Sequence, residues 1–336
     1  MKSISELRQD LVSGDWVVVA TGRSKRPNDF LAHKRQSFYQ PKKTCPFETL
    51  DEKALLAYAS GASAKGGEWW VQVMPNKYPA FRRGVGRCAV FISQGPYQET
   101  EGIGFHELVV TRDHARSLAL MNDEEAELVL RAYQQRYKEL ERDACVEYIS
   151  IFHNHGRLAG ATIAHPHSQI MAIPVVPPDV WKSLQGAEKF FAKERRCVHC
   201  VMIAYEAKTR ERVIYEDSHF IAITPFASRA AFEIRLFPKK HGAHFNEISP
   251  DERKALAHAF RMALAKLFYG LDNPDHNFFI HTAPTKNYEE HSHYHWHIEI
   301  VPKTAIWAGF EIGTGIEIST IKPESAAEFL RKVRVL

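Results

Sequence analysis

The chain has 336 residues, too many for one small core and enough for two domains. It is 45% hydrophobic and 25% charged, which excludes a disordered or fibrous chain, and no apolar run is long enough to cross a membrane as a helix. A net charge of +4, spread over scattered lysines and arginines, favours a small anionic substrate over nucleic acid.

Residues 1–6 do not have the form of a secretion signal, so a cytoplasmic location is expected. The five cysteines are Cys45, Cys88, Cys145, Cys197 and Cys200. An odd count in an unsecreted chain argues against a disulfide framework, and Cys197-Val198-His199-Cys200 has a metal-type spacing.

Taken in chain order, one plan occurs twice. It starts at Cys45-Pro46-Phe47-Glu48. A β-rich run, His106-Glu107-Leu108-Val109-Val110-Thr111, leads to His114. Asn122-Asp123-Glu124-Glu125 can cap a helix with apolar positions at Leu128, Leu130, Tyr133, Tyr137 and Leu140. An apolar strand follows over 146–153, then a polar loop, then a strand carrying His165-Pro166-His167-Ser168-Gln169-Ile170.

The second pass starts at Cys197. Its β-rich run over 232–241 ends at His241, and Ser249-Pro250-Asp251-Glu252 is a capping box with proline at the first helical position. Leu256, Phe260, Leu264, Leu267 and Phe268 supply the apolar face. A strand over 277–281 precedes His295-Trp296-His297-Ile298-Glu299-Ile300. Prolines 174, 177 and 178 followed by a charged helical stretch place the boundary there, giving units 1–178 and 179–336. A short terminal helix begins near Pro323. Antiparallel strands with a helix on one face, repeated in tandem, make an α+β fold.

Zinc takes four ligands from Cys, His and carboxylates. The second half offers Cys197, Cys200, His241 and His295; the other reading is two buried thiols and two core histidines. The matching positions of the first half are Cys45, His114 and His165, with Glu48 where the second cysteine would stand. This set reads either as a Cys-Glu-His-His site for zinc or another transition metal, or as a lapsed site with Glu48 in solvent.

Along a strand, residues i and i+2 share a face, so His165 and His167 point together. With His165 tied to a metal, His167 is held beside it. A neutral imidazole is a good nucleophile toward phosphorus when its other nitrogen donates a hydrogen bond, usually to a nearby carbonyl, and so fixes the tautomer. Gln169, again two residues on, can donate to a phosphate oxygen. The loop holding Asn154-His155-Gly156 and Gly160-Ala161-Thr162 can bring backbone N–H groups to phosphates.

These motifs resemble the galactose-1-phosphate uridylyltransferase family, two-domain members of the histidine-triad superfamily. The likeness runs through Arg26-Pro27-Asn28, Cys45-Pro46-Phe47, Asn76-Lys77-Tyr78-Pro79, Asp113-His114, His165-Pro166-His167-Ser168-Gln169 and Gly309-Phe310-Glu311. It implies ping-pong transfer through a nucleotidyl-histidine on His167. Gln169 and Asn154 would contact phosphates, Asn76 the nucleotide, Phe310 and Glu311 the sugar side, and Arg26 a partner subunit's site in a homodimer.

The implied partners are a nucleotide sugar and a sugar 1-phosphate. Cys197-x-x-Cys200 and the 309–315 segment resemble a branch that includes nucleoside-diphosphate-sugar phosphorylases, so an ADP-glucose phosphorylase is the alternative to a UDP-glucose–hexose-1-phosphate uridylyltransferase. In some uridylyltransferases the second metal sits instead on histidines matching His281, His295 and His297 plus a carboxylate. A zinc-stabilised nucleotide-binding module is the non-enzymatic alternative.

Overall fold

A computed structural model describes residues 4–20, 38–48, 54–59, 69–84 and 86–335. The first half contributes β1 (Glu6–Gln9), β2 (Trp16–Val19), β3 (Leu56–Tyr58), β4 (Val71–Pro75), β5 (Ile92–Gln94), β6 (Tyr97–Glu99), β7 (Phe105–Thr111), α1 (Asp123–Leu140), β8 (Tyr148–His155) and β9 (His167–Ile173). There follow α2 (Pro178–Glu194), α3 (Val198–Thr209), β10 (Val213–Glu216), β11 (Phe220–Ile223), β12 (Ile234–Pro238), α4 (Pro250–Gly270), β13 (His276–His281), β14 (His297–Pro302), α5 (Gly309–Thr314), β15 (Glu317–Ser319) and α6 (Pro323–Lys332). The fold is α+β, and among the described residues no helix is long and apolar enough to cross a membrane.

Ten strands form one sheet in the order β10-β11-β12-β14-β13-β8-β9-β7-β4-β3. Each half supplies five strands in corresponding places, and the halves meet where β8 pairs antiparallel with β13. The repeat seen along the chain is therefore a repeat in space, sewn together by backbone hydrogen bonds at its middle. Helices α1 and α4 open on the two capping boxes, Asn122 with Glu125 and Ser249 with Glu252. They cover one face of the sheet, and their apolar residues join both half-sheets in a single core containing Leu130, Tyr133, Tyr137, Phe260, Leu264 and Phe278. Each such side chain contributes roughly 1.5–3 kcal/mol by leaving water.

The N-terminal hairpin β1–β2 pairs with β15 from the far end of the chain, β2 and β15 running parallel. Arg8 locks this closure through Glu324 at 2.8 Å. Asp10, just after β1, is buried against Arg235 of β12 at 2.8 Å. Burial pushes its carboxyl up, but the attraction of Arg235 and the N–H groups of Ser13 and Val12 outweigh this and hold it down at about 2. A depressed folded pKa adds stability above the unfolded value and loses it as pH falls. Acid titration of Asp10→Asn against the parent should therefore show the parent losing an extra increment, on the order of 2 kcal/mol, between about pH 4 and pH 2.

Cys88 and Cys145 form a disulfide, although the odd cysteine count argued against a disulfide framework. The excursion between β4 and β7 carries Cys88 to the turn between α1 and β8, across 57 residues of sequence, and no local pattern foretells that approach. The Cys197–Cys200 motif opens a helix: Cys197 is the residue before α3 and Cys200 lies in its first turn.

Candidate active site and metal clusters

Strand β9 alternates strictly, with Ser168, Ile170 and Ala172 turned to the helices and His167, Gln169 and Met171 to the opposite face. The strand starts at His167 rather than His165, because Pro166 has no N–H to give to a ladder. The His165 carbonyl, left outside the ladder, accepts a hydrogen bond from His167 Nδ1 at 2.9 Å. That bond places the imidazole hydrogen on Nδ1 and the lone pair on Nε2. Burial pushes the His167 pKa below its ordinary value, against the pull of the His165 carbonyl, so the ring is held neutral. Phe47 packs edge-on to both His165 and His167, at 5.6 and 5.1 Å between ring centres. Behind the strand, the Ser168 hydroxyl joins Tyr133 to His153 Nδ1, the latter at 3.0 Å.

Cys45, Glu48, His114 and His165 converge, their ligand atoms all within 4.8 Å of one another. Both rings are aimed in the same manner. His165 Nε2 donates to the Thr111 carbonyl at 2.6 Å and His114 Nε2 to the Gln40 carbonyl at 2.6 Å. Their Nδ1 atoms are thereby free to face Cys45 Sγ, 3.5 Å from His165, and Glu48 Oε1, 2.8 Å from His114.

The second half repeats this design. His241 Nε2 donates to Ser292 at 2.8 Å and His295 Nε2 to Pro238 at 2.9 Å, while both Nδ1 atoms stand 3.5 Å from Cys200 Sγ. Ligands 2.0–2.3 Å from a tetrahedral ion lie about 3.3–3.8 Å apart, so the second cluster has both the donor set and the spacing that can hold zinc, while the first has the donor set, with His114 and Glu48 at hydrogen-bond distance from each other. The bond from Cys200, ahead of the opposing effect of burial, pulls the Cys197 thiol far below the ordinary thiol range.

His295 thus belongs to the cysteine set. His281 and His297 instead face Glu299, whose carboxylate is already taken by Arg229 at 2.5 Å and Arg235 at 2.8 Å.

A cavity of about 290 Å³ opens beside the first cluster, with His114 and His165 on one wall and Asn154, Gly156 and Ala161 on another. His167 does not line it but is bonded to His165, which does. The loop between β8 and β9 turns on Gly156 and Gly160, at φ +82° and +91°. Within it, Gly160 N–H donates to Arg157 and Ala161 N–H to Gly156, so these two groups close the loop on itself, and Thr162 is exposed at its rim.

Asp275, from the second half, accepts the Leu158 N–H at 2.8 Å and lies where a side chain on Gly156 would go, 2.2 Å from an added Cβ. Gly156→Ala should cost roughly 1–3 kcal/mol and displace the loop. Thermal melts together with turnover check this, and a variant equal to the parent in both would show that the loop tolerates the change.

Asn76 follows β4 and contacts His106, which in turn contacts Gln169. Phe310 and Glu311 lie on the exposed helix α5 and do not line the cavity. Arg26 falls outside the described residues. The sequence reading passed over His106, Asn277 and Asp275. Their residue types carry no local signal, since polar residues are ordinary at a strand end such as His106 or Asn277 and in a turn such as that of Asp275.

Fold and relatives together make the chain an enzyme of the nucleotidyltransferase class. A family profile described as galactose-1-phosphate uridyl transferase, N-terminal domain, matches residues 2–177, and one described as a domain of unknown function (DUF4921) matches residues 103–334. The chain belongs to the galactose-1-phosphate uridylyltransferase family. It is 34% identical to an ADP-glucose phosphorylase of Arabidopsis thaliana, over 98% of this chain and 93% of that one. It is 30% identical to a galactose-1-phosphate uridylyltransferase of Thermotoga maritima, over 98% and 99%. The crystal structure of an ADP-glucose phosphorylase from Arabidopsis thaliana with bound ADP-glucose superposes with a TM-score of 0.81 at 31% identity, covering 99% of this chain and all of that one.

Proposed function

We propose that the protein moves a nucleotidyl group from a nucleotide sugar to a second phosphate-bearing acceptor by way of a covalent nucleotidyl-histidine on His167. The observation that carries this is the hydrogen bond from Nδ1 to the His165 carbonyl, which leaves a neutral Nε2 with its lone pair outward. In the first step Nε2 forms a bond to the α-phosphorus, and the bond from that phosphorus to the bridging oxygen breaks, releasing sugar 1-phosphate. In the second step a phosphate oxygen of the acceptor attacks the same phosphorus and the P–N bond breaks, restoring His167. Dividing the transfer in two lets one site serve both leaving and entering phosphates in turn. Gln169 and Asn154 supply donors to the phosphoryl oxygens, and Asn76 lies on the nucleotide side.

Cys45, Glu48, His114 and His165 would hold one zinc ion, which would fix His165 and, through its carbonyl, His167; Cys197, Cys200, His241 and His295 would hold a second. Residues 1–178 and 179–336 are the two repeat units. A homodimer completes the reading, supported by the family likeness and by exposed Phe91, Ile92 and Tyr97 at the β5–β6 hairpin.

With a hexose 1-phosphate as acceptor the enzyme is a UDP-glucose–hexose-1-phosphate uridylyltransferase. With inorganic phosphate it is an ADP-glucose phosphorylase, a second reading favoured by the 34% identity to the Arabidopsis protein against 30% for the Thermotoga one. Intact-protein mass after mixing with UDP-glucose and, separately, ADP-glucose, without acceptor, tests both. A uridylyl adduct supports the first reading and an adenylyl adduct the second. Absence of any adduct with either donor, at times short enough to outrun hydrolysis, counts against the covalent mechanism.

A further inference from the structure

A side-chain amide helps a phosphate only if its NH₂ end, not its carbonyl, is turned that way. Two amides matter in the reading above, Gln169 and Asn154. We propose that His106 and Asn277 are positioning residues that fix the polarity of these amides, so that both present hydrogen-bond donors to the transferred phosphoryl group. The proposal rests on the nucleotidyl-transfer reading.

The argument follows donors and acceptors outward from backbone groups whose polarity is not in question. The Ala80 N–H, a donor only, points at His106 Nδ1 at 3.1 Å. Nδ1 must then carry the lone pair, which excludes the imidazolium and puts the ring hydrogen on Nε2. Nε2 lies 2.7 Å from Gln169 Oε1, which accepts that hydrogen. The Gln169 NH₂ is thereby turned away from His106.

Asn76 Nδ2 stands 3.1 Å from the same Nε2. The Asn76 carbonyl already accepts the Tyr78 N–H at 2.9 Å, so this is a contact between two donors and leaves Gln169 as the acceptor. His106 is buried on β7, diagonal to Gln169, since Leu108 is the residue directly opposite Gln169.

Asn277 performs the matching task from the second half. Its Nδ2 donates to the Ala159 carbonyl, an acceptor only, at 2.8 Å. The same NH₂ group is 2.8 Å from Asn154 Oδ1, its directly opposed partner across the β8–β13 seam. Asn154 therefore shows its carbonyl to Asn277 and its NH₂ toward Gly160, where an added Cβ would come within 3.9 Å of Asn154 Nδ2. At the place of Gln169 the second half instead has Glu299, an anion held by Arg229 and Arg235. The Glu299 carboxylate, unlike the Gln169 amide, has no hydrogen to give a phosphoryl oxygen.

The test uses His106→Phe, which keeps a ring and removes both nitrogens, His106→Gln, whose Nε2 can donate to Gln169, and Asn277→Asp, which can donate to neither of its partners. His106→Phe and Asn277→Asp should each slow nucleotidyl-histidine formation by about 10- to 100-fold, with KM for the nucleotide sugar changed much less. His106→Gln should recover most of the rate. Long-range proton–nitrogen spectra of the histidines, with the His106 signals identified by their loss in His106→Gln, should show the form protonated on Nε2.

A His106 protonated on Nδ1 overturns the proposal. So does a wild-type rate in His106→Phe, or a His106→Gln no faster than His106→Phe, when the wild type itself forms the adduct. A wild type that forms no adduct with any nucleotide sugar removes the reading beneath the proposal and overturns both.

Discussion

His167→Ala should turn over nucleotide sugar at least about four orders of magnitude more slowly than the wild type, and its mass should not change on mixing with donor. The variant has no atom that can form the P–N bond, and nothing else on the exposed face of β9 replaces it: Gln169 is a donor, and Met171 is apolar. The fold should survive. The His167 side chain contributes one hydrogen bond to a carbonyl and an edge contact with Phe47, a loss of about 1–2 kcal/mol. A cooperative melt close to the parent's, together with unchanged metal content, would separate loss of chemistry from loss of structure. An unfolded variant would make His167 a structural residue, and a variant that still acquires the adduct would move the nucleophile elsewhere.

What was legible in the sequence was what local chemistry determines. Asn122 with Glu125 and Ser249 with Glu252 can be recognised as caps because the partners are three residues apart and the geometry is the same in any helix. The α+β plan was legible because its repeat is long and its histidines recur at corresponding steps. The seam between β8 and β13 was not, because register between strands more than a hundred residues apart leaves no mark on either strand alone. Helix α3 was missed for another reason: its apolar residues are not confined to one side, so the 3.6-residue period that announces a helix is absent, and only the cysteine pair drew notice. The parts played by His106 and Asn277 depend on which backbone group each ring or amide meets. That is settled by the fold and not by spacing.

Cys200→Ser should lower the zinc content by one ion per chain, cost about 3 kcal/mol or more and lower the melting temperature by roughly 5–10 °C. The second cluster joins helix α3 to two strands, β12 and β14, that already pair with each other in the sheet. Cys197 and Cys200 belong to the opening of α3, His241 follows β12 and His295 precedes β14. An ion held by all four ties a helix to two neighbouring strands of the sheet, and its binding energy is folding energy. Serine keeps the shape but is a poor ligand, so the ion is released while the packing around it stays nearly the same. The Nδ1 atoms of His241 and His295, aimed by their bonds to Ser292 and Pro238, then face one another without the charge that justified the aim. Nucleotidyl-histidine formation should persist at temperatures where the variant is folded, because His167 is held by His165 in the other cluster. Inductively coupled plasma measurements, melts and adduct rates read these three quantities separately. An unaltered zinc stoichiometry would place the ion elsewhere. Loss of the adduct in a folded variant would mean that the second half reaches the reacting centre through the β8–β13 seam, and that its cluster governs chemistry as well as stability.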